Sequence, residues 1–241
     1  MTPTLAAVRE DAGGRQRQLV RGYLHKTSNS LCGIKGYASL IAAAGDDRPA
    51  TVWARKILDE VEQLELIYRS VQEIAFPKRE GLGGGDLASA VAAAVHAVRR
   101  RHPRLRVRLS LRAGGGLLLP ARDLQLALEE ILANSAEAYP ADAEAPVTVA
   151  TVPGREGRVA LAVADRGAGM APELLAEAAA PFVTTKPGRL GIGLARVDTL
   201  LEMHGLAWAL DSVRGEGTQV VLEVARDAAM AATAAQERTE R

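Results

Sequence analysis

A chain of 241 residues has room for one large domain or for a small and a medium one. Its apolar content of 48% suffices for a core, but aromatics at 3% require that core to be built from Leu, Val, Ile and Ala, and a net charge of +1 gives no global field to attract nucleic acid. The single cysteine, Cys32, excludes an internal disulfide framework, and no apolar run reaches the roughly 18–20 residues of a membrane span or forms a leader's apolar segment, so a cytoplasmic chain without membrane insertion is expected.

Residues 1–14 are polar and read as a tail ending in Gly13 and Gly14. A helix is predicted over 15–44, where Val20, Leu24, Thr27, Leu31, Ile34, Ala38 and Ile41 repeat at spacings of four and three. The run GDDRP over 45–49 breaks it. A second helix carries Ala54, Ile57, Val61, Leu64, Tyr68, Val71 and Ala75 on the same heptad spacing. Two antiparallel helices cannot bury both seams alone, which predicts a homodimer through a four-helix bundle formed by residues 15–77. The glycine-rich linker 78–85 marks a domain boundary.

Beyond it, Asp86 can N-cap a helix over 87–101. Leu105, Val107, Leu109 and Leu111 then alternate with polar residues as a strand with one wet face. That alternation accounts for the arginine-rich run 99–112 better than a nucleic-acid patch does, because no stacking aromatics accompany it. A short strand (117–119) leads into a helix over 120–139. Strands over 147–152 and 158–164 form a hairpin, and helices follow over 171–180 and 190–204. A closing hairpin joins 206–211 to 219–224, and the alanine-rich end, 226–241, reads as a frayed helix or disorder. The fold class expected is α+β.

The chemistry-bearing stretch is DLQLALEEILANSAEAYP, residues 123–140. Leu124, Leu128, Ile131, Ser135 and Ala138 form its buried stripe, while Glu130 and Asn134, four apart, stack on a different face. An acid and an amide presented together can hold a hydrated magnesium ion, which takes few protein ligands. In isolation such a pair is more often a solvated polar stripe; the motifs that follow favour the metal. Asp165 ends an apolar strand, where its carboxylate can accept from an adenine amino group, and Gly167 and Gly169 beside it permit close backbone approach. Gly191, Gly193 and Leu194 open a helix whose first amides can take a phosphate. No glycine fingerprint follows a strand at the head of a βαβ unit, so a dinucleotide site is excluded.

Taken together, the Glu130–Asn134 helix, DRGAGM over 165–170 and TTKPGRLGIGLARV over 184–197 resemble the ATP-binding domain of sensor histidine kinases and the wider GHKL, or Bergerat-fold, ATPases. The resemblance covers about residues 86–225 and implies an α/β sandwich binding ATP and Mg²⁺. It assigns Asp165 to adenine, Gly167 and Gly169 to the pocket wall, and Thr218 to a water-mediated adenine contact. The run FVTTK over 182–186 looks like the family's phenylalanine box and lid, with Thr185 and Lys186 over the triphosphate, although a lone loop lysine such as Lys186 is more often merely solvated. Two departures stand out. The first glycine of the family's phosphate loop is replaced by Arg189, and Glu137 stands where many kinases carry a basic residue.

Upstream, LHKTSNSLCGIKGYASLI resembles the histidine box of the same kinases, which makes His25 the phosphoacceptor. A neutral imidazole nitrogen suits that role. The resemblance implies a catalytic part for Glu130, and for Asn29 a part in placing water when a response-regulator receiver is dephosphorylated; a solvated helix residue explains Asn29 equally well. Relatives carry an acid directly after the histidine, whereas this chain has Lys26, which cannot serve as the base and favours slow autokinase with phosphatase activity retained. The expectation is a histidine kinase without its own sensor, acting on a response regulator and served by a separate sensor or scaffold protein. Two rival readings are a dimeric phosphotransfer protein that does not use ATP, and an ATPase of the topoisomerase or mismatch-repair type.

Overall fold

The structure is a computed structural model that describes residues 12–43, 50–75, 85–112, 116–186 and 188–226. Of the expected tails 1–14 and 226–241 and linker 78–85, residues 1–11, 227–241 and 78–84 lie outside the described residues, as does the break at 45–49; residues 12–14, expected in the tail, are instead the first turn of a helix, and Arg226 is the last residue of a strand. The chain divides into two compact units.

One unit contains the helices α1 (Ala12–Ala43) and α2 (Ala50–Ala75), together with the segment Ala180–Ile192. The heptad spacing produces the two long helices the sequence predicts. Ile67 and Ser30 are the buried residues of the pair, and Thr27 returns its hydroxyl to the Tyr23 carbonyl, 2.8 Å away.

The other unit is a mixed α+β sandwich. Asp86 caps α3 (Leu87–Arg101) by accepting from the Ser89 amide at 3.1 Å, and β1 (Leu105–Ser110) follows. Next come α4 (Ala121–Ala136), β2 (Ala145–Pro153), β3 (Arg158–Asp165), the short α5 (Pro172–Glu177), α6 (Gly193–Met203), β4 (Trp208–Val213) and β5 (Gly217–Arg226). The sheet order is β1-β2-β3-β5-β4, with β1 parallel to β2 and every other pair antiparallel. Helices α3, α4 and α6 share one core with a single face of this sheet, supplied by Leu124, Leu128, Ile131, Leu161, Leu201 and Leu222 among others.

The stripe read on α4 is therefore its buried face: Leu124, Leu128, Ile131 and Ser135 are all buried. Two polar ties hold α6 in the sandwich, one from its middle and one just past its C-terminus. His204 Nε2 lies 2.9 Å from Asp123 Oδ2 on α4, and the Trp208 indole donates to Asp198 Oδ1 at 2.8 Å. Several element boundaries differ from the sequence reading, among them α5, expected over 171–180, and β4, expected over 206–211. Residues 117–119 contribute only one bridge, Leu117 to Ala225. Helix α4 stops at Ala136, and α6 starts at Gly193 rather than 190 because Gly191 adopts φ 71°, outside the helical region.

Candidate functional site

The sandwich brings Asp165, Gly167, Gly169 and Thr218 together at the end of β3. Asp165 is 8% exposed, and its Oδ1 accepts from the Gly167 amide at 2.9 Å and from the Thr218 amide at 3.2 Å. These two bonds orient the carboxylate and leave Oδ2 for a ligand's donor. Thr218, far from Asp165 in sequence, also shares a 2.9 Å hydroxyl contact with Ser212, which in turn donates to the Gly217 carbonyl at 2.9 Å.

The glycines are needed for close approach. A Cβ on Gly167 would stand 2.9 Å from the Ala138 carbonyl oxygen, and one on Gly169, at φ 60°, would strike the Val213 carbonyl. Backbone bonds lock the same turn in place: Ala168 N to Ala138 O at 2.9 Å, and Gly215 N to Ala168 O at 2.8 Å. Met170 N adds a bond to Ser212 Oγ at 2.9 Å.

Tyr139 and Ser212 carry parts of this site that the sequence reading missed. The Tyr139 hydroxyl accepts from the Arg166 amide at 2.7 Å and donates to the Pro146 carbonyl at 2.9 Å, tying the end of α4 to the strand end that bears Asp165. Burial pushes the phenol's pKa up, and the Asp165 charge pushes it the same way, so the ring stays a neutral donor.

A second group forms at the start of α6. A Cβ on Gly193 would stand 2.9 Å from Glu130 Oε2 and 3.6 Å from Asn134 Nδ2, so the first turn of α6 lies directly against the acid and amide of α4. Leu194 packs on the core beneath. Glu130 Oε1 is held by Arg196 Nη1 at 3.2 Å, a contact the sequence reading did not anticipate. Helix α4 and the turn after it link the two groups: Glu130 and Asn134 face α6, and Ala138, two residues past the helix end, walls the Asp165 turn.

Thr185, Lys186 and Gly191 belong to the segment that groups with the two long helices. There Phe182 donates its amide to the Gly191 carbonyl at 2.7 Å and adopts φ 68°, rare for a residue with a side chain. The Lys186 amide bonds Thr184 Oγ1 at 3.1 Å. On α1 the ring of Phe182 fills the space that a Cβ on Gly22 would need. His25 and Asn29, both exposed and four apart, share a face of α1, and Lys26 is half-buried.

A mixed sheet with three helices on one face, an oriented aspartate at a strand end and glycine turns beside it define a GHKL-type ATPase domain. Residues 120–228 match the family described as histidine kinase-, DNA gyrase B- and HSP90-like ATPase, and this part of the chain belongs to it. Among curated proteins, the chain is 28% identical over 218 residues to the sensor histidine kinase ZraS of Klebsiella oxytoca, covering 86% of this chain and 47% of that protein. It is 22% identical over 212 residues to the sensory histidine kinase/phosphatase NtrB of Vibrio alginolyticus, covering 83% and 60% respectively. The chain thus spans about half the length of the ZraS relative. The fold is shared with the Acinetobacter baumannii histidine kinase AdeS, at a TM-score of 0.61 and 17% identity over 84% of this chain and 98% of that one. Among the described residues, no helix is long and apolar enough to cross a membrane.

Proposed function

We propose that the chain is an ATP-dependent protein histidine kinase of a two-component system. On this reading residues 86–225 bind ATP, and a dimeric hairpin over 15–77 presents His25 as the phosphoacceptor. The observation that carries the reading is the convergence of Asp165, Thr218 and the Gly167 turn, held by bonds of 2.9 and 3.2 Å to a single carboxylate oxygen. Adenine donates its amino group to Asp165 Oδ2, and the first amides of α6 meet the phosphates. Thr185 and Lys186 cover the triphosphate from the lid. The donor set beside Gly193, one amide and one carboxylate, suits Mg²⁺, which would be held chiefly by Asn134 and would neutralise phosphate charge when bound. His25 then attacks the γ-phosphorus through an imidazole nitrogen, the bond to ADP breaks, and the ring's proton is released to solvent. The phosphoryl group passes from His25 to an aspartate of a response-regulator receiver domain. The protein works in the cytoplasm with a separate sensor or scaffold protein.

Direction of flux is set by the residues around His25. Lys26 places a cation where a base would help, and general-base help is worth about 10²–10⁴-fold. On this reading Asn29, exposed on the same helix face as His25, orients a water on a phosphorylated receiver. The protein on this reading is a slow kinase that retains phosphatase activity.

The test is incubation of the purified chain with γ-labelled ATP and Mg²⁺. An acid-labile, alkali-stable label is expected, lost in His25→Gln, with faster labelling in Lys26→Glu and slower receiver dephosphorylation in Asn29→Ala. Label that persists in His25→Gln would exclude His25 as the acceptor. Unaltered rates in both other variants would remove the phosphatase bias.

A further inference from the structure

Arg196 has no part in the nucleotide contacts above, yet it holds the acid that lies closest to them. Its Nη1 stands 3.2 Å from Glu130 Oε1, while Glu130 Oε2 faces Gly193 at the head of α6. The carboxylate is thus wedged between an arginine and the turn that would meet phosphate. The two side chains are 25% and 31% exposed, and a pair this open contributes little to stability. Its main consequence is where the carboxylate points.

That direction matters because two nucleophiles compete for the γ-phosphoryl group in any ATP-dependent histidine kinase: the imidazole and water. A carboxylate one helical turn from Asn134 would be free to swing toward such a water once released from the arginine. In that side reaction the water oxygen bonds to the γ-phosphorus, the bridging bond to ADP breaks, and the water's proton passes to the carboxylate. We propose that Arg196 is a positioning residue that suppresses this hydrolysis: it keeps Glu130 turned onto α6, so that the phosphoryl group is reserved for His25. The proposal rests on the ATP-binding reading above. It makes Glu130 a latent base instead of a working one, and it gives the Arg196–Glu130 pair a role in the partition of product, separate from nucleotide affinity.

The experiment uses the full chain with His25→Gln, which closes the phosphohistidine route, and measures phosphate released from γ-labelled ATP with Mg²⁺. Arg196→Met is expected to raise release about 100-fold, the lower end of the usual range for general-base help. Adding Glu130→Gln should return it to background, and Arg196→Lys, which keeps the ion pair, should hold it low. With His25 intact, Arg196→Met should raise the ratio of free phosphate to phosphohistidine. Nucleotide binding, followed by calorimetry, separates the ways of failing. Unchanged release in an Arg196→Met chain that binds ATP overturns the proposal, as does a rise that survives Glu130→Gln. Loss of ATP binding in both Arg196→Met and Arg196→Lys also overturns it, by making Arg196 a nucleotide ligand. If the unsubstituted chain binds no ATP, the kinase reading itself falls.

Discussion

Asp165 is a carboxylate with one oxygen committed to the protein and one left for a ligand. The Gly167 and Thr218 amides fix Oδ1 at 2.9 and 3.2 Å, so the side chain cannot rotate away without stranding two donors. This makes Asp165→Asn a sharp probe. The amide oxygen can keep both backbone bonds, but the NH₂ then faces the adenine amino group, donor against donor. The expected loss is about 1–3 kcal/mol of ATP affinity, or about fivefold to 150-fold in Kd by calorimetry, with little change in thermal stability. An unaltered Kd would remove Asp165 from the adenine site. Asn134→Ala should weaken binding chiefly when Mg²⁺ is present.

At the scale of elements, the sequence was most legible where a period or a special backbone angle was required. The buried face of α4 was visible because Leu124, Leu128 and Ile131 repeat on a helical period, and the glycine turns were visible because Gly167 and Gly169 have no room for a Cβ. Partners brought together by the fold left no such trace. Arg196 looks like any helical arginine until α6 docks on α4, and beyond α4, which stops short of Pro140, the Ala138 carbonyl accepts from Ala168 and the Tyr139 hydroxyl bonds Arg166 and Pro146. Glu223 is another case. It interrupts the apolar run of β5 yet is 1% exposed, with Oε2 2.7 Å from Arg158 Nη1 on β3 and Oε1 lacking a hydrogen-bond partner among the described residues. Arg158→Met would leave that charge buried and unpaired, at a cost of about 3 kcal/mol, the lower end of the range for breaking such pairs because the Arg158 side chain is 33% exposed. Adding Glu223→Leu should recover most of it. Denaturant unfolding of the full chain followed through Trp208 would read both steps, and a loss below about 1 kcal/mol in the single variant would show that solvent screens the pair.

At the scale of the molecule, the two helices of the hairpin leave much apolar surface uncovered by the described residues. Leu24, Leu31, Leu58, Val61 and Tyr68 are 56%, 57%, 61%, 38% and 54% exposed. Leu24 and Leu31 are seven residues apart, as are Val61 and Tyr68, so each pair lies along one seam rather than scattered over the surface. Fully burying a large apolar side chain is worth about 1.5–3 kcal/mol, and these side chains are about half-exposed, so each has about 1 kcal/mol still to gain. Summed over both protomers of a dimer, that is about 10 kcal/mol, within the range of about 4–15 kcal/mol that association costs. The balance closes only if the remaining seam positions, Ile34, Ile57 and Leu64, gain further contacts across the same interface. A second copy of the hairpin is the partner that presents matching seams. Sedimentation of the full chain should therefore give a dimer at micromolar concentration, and the paired substitution Leu31→Glu and Val61→Glu should give a monomer. ATP binding by that monomer should be unchanged, because Asp165, Thr218 and Gly193 belong to the other unit. A folded monomer in the unsubstituted chain would show that these seams are covered some other way, and would remove the four-helix bundle from the proposed function.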